Sequence, residues 1–430
     1  MPVIINVIMF KYVFLVLVLY SAILYNKKRK GSWTTPSMLL LFLYFASALA
    51  CLPTVYYNLN VGAEDYTYAL KPNTWPGVFT FIFFLFLFLF PFCNFNESKV
   101  QQIVLPNIRV LNRVSSILIF LSLFSIIHSL PLVIRVFTFG DLDALRNMMG
   151  NGERSDFADT GLLNTISSVS SSLYAFAILL FFIYFIIGGH KKRIILLLIS
   201  STSYIFYCLT FVGRDGVVFW VFNIMFMTTM FKDYLHKHQL KKIRNVLIVS
   251  SFIAILPFLA ISISRFAMGI GGTGGGILSY FGQMPANYAM YYNVAEKHYS
   301  YGSSFPLYWE ITRQQPPKQE DRWFDGGTES NVFGTFIEGF NVNFGLWGTV
   351  LVGIIAMMFF LSVFGRYRKK IYFYHFFIYI LYWSVYSEGL FYFKHGTRGG
   401  NLFILLCLGL YYYFYSLMKN RRPYILQKPV

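Results

Sequence analysis

The feature that most limits what this chain can become is a series of apolar blocks. Each is close to the roughly 20 residues a helix needs to cross a bilayer. Runs such as FTFIFFLFLFLF (79–90) are continuous, whereas a transmembrane β-barrel strand alternates. Composition agrees. The 430 residues are 56% hydrophobic and 13% charged, and a soluble domain carries about a quarter charged residues. Disorder is excluded too, because it needs low hydrophobicity. The expected fold class is all-α: a polytopic membrane protein of one integral domain, 1–430. Eleven spans are expected at roughly 3–25, 36–56, 77–95, 114–136, 162–188, 194–212, 216–234, 245–263, 342–364, 372–389 and 400–418.

The net charge of +18 could signal nucleic acid or membrane topology. Position decides. The joints after spans one, three, five, seven, nine and eleven hold 23 of the 36 bases, and only Glu97 and Asp233 of the 18 acids. By the positive-inside rule those joints are cytoplasmic. The N-terminus is then expected outside and the C-terminus in the cytoplasm, with no nucleic-acid partner. The first block runs past any cleavable h-region and ends in Lys27–Lys30, a stop-transfer flank. Cys51, Cys93, Cys208 and Cys407 lie in apolar blocks without metal or redox spacing.

This arrangement puts the longer joints outside: 57–76, 137–161, the turn Gly213-Arg214-Asp215 and the loop 264–341. Such loops carry function on a rigid scaffold. The large loop opens with GIGGTGGG, which lacks the Lys-Ser/Thr of a P-loop; it reads either as a hinge or as a backbone nest for phosphate. The segment Ile277–Tyr301 reads as a re-entrant or interfacial helix. Four arginines, Arg135, Arg214, Arg265 and Arg398, sit at outer span ends. Either they snorkel to headgroups, or they share an anionic ligand, for which guanidinium forks are suited. Arg214 is the best placed, since a tight turn fixes it, although Asp215 can simply pair with it.

Outer acid/base candidates are Glu296, His298, Glu310, Asp321, Asp325, Glu329, Glu338, Glu388 and His395. Lys394, His395 and Arg398 fall within five residues, a density that points to anion contact. HExxH and GxSxG are absent, and no His/Cys cluster implies a metal. No metal or cofactor is expected.

The residues FVGRDGVVFWVFN, SISRFAMG and GGTESNVFGTFIEGFNVNFGLWG, with the eleven-span plan, resemble O-antigen or oligosaccharide repeat-unit polymerases of the Wzy type. Asn343 stands where that family usually has an acid. Arg265 and Gly276 match an arginine–glycine spacing seen in some of its members. The resemblance implies a metal-independent glycosyltransferase similar to the GT-C class. Such an enzyme joins undecaprenyl-diphosphate-linked donor and acceptor units on the outer face, for O-antigen or capsule, with a chain-length regulator as a further candidate partner. Placement at the outer ends of spans six and eight then gives Arg214 and Arg265 to the anionic substrate, with Arg398, His395 and Arg135 as further contacts. Glu329 and Asn331 are placed near the reacting hydroxyl, with 264–341 as a lid. An O-antigen ligase, whose marker would be His298, and a flippase of lipid-linked sugars are the alternatives.

Overall fold

A computed structural model of the chain describes residues 2–59, 68–139, 142, 144–145, 162–266, 272–292, 302–315, 334–365, 369–419 and 423–428. Each expected span coincides with a helix or a helix pair. In chain order the helices are α1 (Pro2–Lys30), α2 (Pro36–Tyr56), α3 (Trp75–Asn94), α4 (Ile108–Thr138), α5 (Leu162–Ser171) and α6 (Tyr174–Ile186). Next come α7 (Lys191–Ser200), α8 (Ser203–Leu209), α9 (Asp215–Phe231), α10 (Lys237–Phe266) and α11 (Gly272–Tyr292). The last are α12 (Pro306–Thr312), α13 (Thr335–Phe364), α14 (Phe373–Ser387) and α15 (Arg398–Lys419). Among the described residues, seven helices are long and apolar enough to cross a membrane, or eight if α5 and α6, bent by 48°, form one span. The chain is therefore a helical protein of membrane type.

Packing divides it into two compact units, interleaved in sequence. Unit 1 comprises Met1–Lys99, Phe266–Arg368 and Leu381–Ile404. Its α11 packs against α2 and α3, and glycine makes both approaches possible. A Cβ on Gly282 would overlap the Ala50 carbonyl, and one on Gly77 would lie 2.8 Å from the Ala289 backbone. Tyr12, Cys51, Val55, Val78, Ala286 and Met290 form an apolar core there. Tyr288 and Tyr291 are buried, so α11 is an inner helix and not one laid along an interface. Its first turn begins at Gly272, in the glycine run, with φ +61°.

α13 is broken. Gly345 adopts φ 68°, ψ 178°, a conformation essentially confined to glycine. A half-helix, 335–344, thus precedes the long apolar helix 346–364, where one span starting near residue 342 was expected.

Unit 2 comprises Val100–Arg265, Lys369–Ile380 and Leu405–Val430. It holds a three-stranded sheet that the apolar pattern did not reveal: β1 (Gln102–Leu105), β2 (Lys370–Tyr372) and β3 (Tyr424–Gln427), in the order β2-β1-β3. β1 runs parallel to β2, with Ile103 opposite Ile371, and antiparallel to β3, with Ile103 opposite Leu426. All three strands come from joints placed on the basic side by their charge. Two further contacts link the same set: Lys428 to Asp233 at 3.0 Å, and Tyr234 Oη donating to the Val100 carbonyl.

Candidate functional site

In unit 1, three segments interlock that the charge pattern expects on the outer side: 302–312, 334–345 and 384–401. Small residues set their spacing. A Cβ on Gly339 would meet the Phe393 side chain at 2.5 Å, one on Gly389 would meet Phe336 at 2.8 Å, and one on Gly396 would meet Ser304 at 3.0 Å. Thr335 takes φ +70°, its amide donates to the Phe391 carbonyl, and it bridges to Tyr392. Strain at a β-branched residue persists only where the surroundings over-determine it.

Amides tie the same segments together. Asn343 Nδ2 donates to Ser304 Oγ at 2.7 Å and to the Gly339 carbonyl at 2.5 Å, while the Ser304 amide donates to Asn343 Oδ1 at 2.9 Å. Asn401 Nδ2 donates to the carbonyls of Ser304 and His395. Asn343 is thus a buried residue that ties Ser304 to the half-helix, and a neutral amide suits the partners it meets. It donates twice and accepts once, and a carboxylate cannot donate.

The charged groups lie on this frame. Lys394 Nζ and Glu388 Oε2 pair at 2.7 Å, with the Glu388 side chain fully buried. Glu338 is 4% exposed, and its carboxylate folds back onto the start of the half-helix, so that a Cβ on Gly334 would overlap it. A carboxylate is favoured there by the helix N-terminus. His395 is 2% exposed and its Nε2 lies 3.2 Å from Ser384 Oγ. Burial pushes its pKa down to about 4; the nearby Glu388 carboxylate opposes this and Lys394 adds to it. At neutral pH the ring is uncharged. Arg398 pairs with Glu310 at 3.0 Å, both about half exposed, an arrangement worth little in water.

The density of base in 394–398 pointed to one anion, but the structure turns these side chains apart. Lys394 reaches its own carboxylate, His395 packs inward and uncharged, and Arg398 faces outward.

Arg214 belongs to unit 2. Its turn is tight as expected: the Gly213 amide donates to the Cys208 carbonyl at 2.9 Å and Val212 takes φ +56°. Gly216 has room for no Cβ beside Ile205 and Cys208, which brings α8 against α9. Arg214 is 5% exposed and Nη1 donates to Ser262 Oγ at 3.2 Å. It therefore does not snorkel into solvent. Ser262 lies one helical turn before Arg265 on α10, so the guanidinium of Arg214 reaches the stretch of helix that carries Arg265. Arg135 is exposed in the last turn of α4, where a cation suits the helix C-terminus. His298, Glu329 and Asn331 lie outside the described residues.

Sequence reasoning missed the roles of Ser304 and Asn401, which have no charge to draw notice. It also missed Lys11, buried within α1 and donating to the Lys71 carbonyl at 2.8 Å and to Thr74 Oγ1. A lysine in an apolar run was a signal that could have found it. Among the described residues no three His, Cys, Asp or Glu side chains group as metal ligands. No family model, curated protein or solved structure matches the chain.

Proposed function

We propose that the chain is a membrane glycosyltransferase that polymerises lipid-diphosphate-linked oligosaccharide units on the outer face of a bacterial inner membrane. The observation that carries this reading is a coincidence of motif and structure. The TESNVFGTFIEGFNVNFG segment, which bears the resemblance to repeat-unit polymerases, supplies in its 334–345 part the glycine-broken half-helix. That part locks onto the buried Glu388–Lys394 turn through Thr335, Gly339 and Phe393.

In the proposed reaction an acceptor sugar hydroxyl attacks the anomeric carbon of the donor. The bond from that carbon to the diphosphate breaks, and the electron pair leaves with the phosphate. The hydroxyl proton goes to the departing phosphate or to a carboxylate, for which Glu329 is the candidate. Arg214 and Arg265 are the proposed diphosphate contacts. A guanidinium grips phosphate oxygens in a fork and stabilises the developing anion without a metal. Eleven crossings and an N-terminus outside are part of the same proposal, supported by the sheet that gathers three basic joints in unit 2.

The half-helix ending at Gly345 and the bend between α5 and α6 also favour a second reading, a carrier of lipid-linked sugars, because broken helices are common in transporters. One assay separates the two. Purified protein is given lipid-linked units, and product length is read on gels. Polymer is expected from the wild type, and at least a ten-fold loss from Arg214→Lys at unchanged protein level. Glu329→Gln is expected to lose turnover with donor binding intact. No glycosidic bond from wild type, with flipping of the same lipid in vesicles, would sink the polymerase reading in favour of the carrier.

A further inference from the structure

Unit 1 holds a cavity of about 680 Å³ along α1 and α3, with Leu41 of α2 as part of its wall. On α1 its lining runs from Phe14 to Arg29, about 22 Å at the helical rise. The walls are almost wholly hydrocarbon and aromatic: Phe14, Val18, Ile82, Leu85 and Phe86 among them. A slot of this length and lining accepts an extended acyl chain.

The two ends differ. The polar end is formed by Asn26, Arg29 and Asn94. Arg29 closes it by donating to Asn94 Oδ1 at 2.8 Å and to the carbonyls of Cys93 and Asn94, the free carbonyls at the end of α3. Lys27, Lys28, Arg29 and Lys30 crowd that last turn of α1. Lys30 is buried on Glu97, so its charge is cancelled. Lys27 rests over the Trp33 ring at 5.3 Å, and Lys28 is exposed. Lys27, Lys28 and Arg29 have no carboxylate partner among the described residues. A chain-shaped apolar slot therefore ends at Arg29, with Lys27 and Lys28 in the same last turn of α1, and no acid among the described residues pairs with any of the three.

We propose that this cavity binds an anionic glycerophospholipid of the surrounding membrane, one acyl chain in the slot and the phosphate head against Lys27, Lys28 and Arg29. A zwitterionic lipid would satisfy the slot but leave the cations uncompensated. A peptide would bring polar backbone into a wall with few groups to receive it. The site is independent of the glycosyltransferase reading, which assigns none of these residues.

The test uses purified, delipidated full-length protein and native mass spectrometry. Phosphatidylglycerol and phosphatidylcholine with identical acyl chains are titrated separately. Phosphatidylglycerol is expected to be retained at least ten-fold more tightly. Ala22→Trp, which fills the slot, should abolish retention of both lipids. Lys27→Gln/Lys28→Gln, at the exposed end, should bring phosphatidylglycerol down to the phosphatidylcholine level while thermal unfolding without lipid stays as in wild type. Equal retention of the two lipids by wild type would overturn the proposal. So would wild-type phosphatidylglycerol binding in either variant, or its displacement by a polyprenyl phosphate at lower concentration. If Ala22→Trp fails to fold, the double lysine variant decides alone.

Discussion

At the scale of single residues, burial decides what each titratable group can do. Glu388 is fully buried against a lysine that is itself 14% exposed. Removing one charge of such a pair strands the other, at a cost of about 3 kcal/mol. Glu388→Gln is therefore expected to lower the thermal midpoint in detergent sharply, and Glu388→Gln/Lys394→Met to recover most of the loss. Recovery of nothing would show that the pair is not the source. His395 gives a pH dependence of definite sign. Its folded pKa, about 4, lies below the ordinary value near 6.5, so between these values the unfolded chain binds more protons. Stability is complete above about pH 6.5 and declines as pH falls toward 4, by up to about 3 kcal/mol. Unfolding midpoints of wild type between pH 7 and 4.5 should fall more steeply than those of His395→Gln; parallel curves would reject the assignment. Residue type and neighbours in sequence marked Glu388, His395 and Arg214 as worth watching. They could not tell that His395 points into aromatic packing between Phe393 and Phe403. That orientation is set by Asn401 and Ser384, partners contributed by flanking helices.

At the scale of elements, what was legible follows from one physical signal. Helices that cross apolar surroundings must satisfy every backbone group internally, so long apolar runs announce themselves. Accordingly α2 begins and ends where the pattern placed it. Short elements lack such a signal. QIVL, KIY and YILQ are three or four residues long, and their pairing depends on segments far apart in sequence. The break in α13 was hidden for a different reason: Asn343-Phe344-Gly345 lies inside an otherwise apolar run, and only the backbone angles reveal it. Those angles make a prediction. Gly345→Ala forces a Cβ into a conformation reserved for glycine and should cost about 1–3 kcal/mol. Gly409→Ala on α15, where a Cβ meets nothing within 4 Å, should be neutral or slightly stabilising. Equal melting of the two variants would mean that the half-helix is not held as described.

At the scale of the whole molecule, charge asymmetry and strand pairing constrain the same quantity, the side on which each joint lies. Reporter fusions at 30, 191 and 240 are expected to read cytoplasm, and those at 65, 150 and 320 the outside. A cytoplasmic reading at 150 would break the proposed topology. Ile103→Cys with Leu426→Cys should cross-link on mild oxidation, because the two are directly paired and antiparallel partners lie within disulfide reach. The sheet also has a consequence in time. Its central strand leaves the ribosome more than three hundred residues before β3. At roughly 5–20 residues per second, β1 waits some tens of seconds with unpaired edges, first for β2 and then for β3. During synthesis the nascent chain thus carries an open strand template until β3 closes it, and under the proposed topology that closure requires an even number of crossings between the two strands.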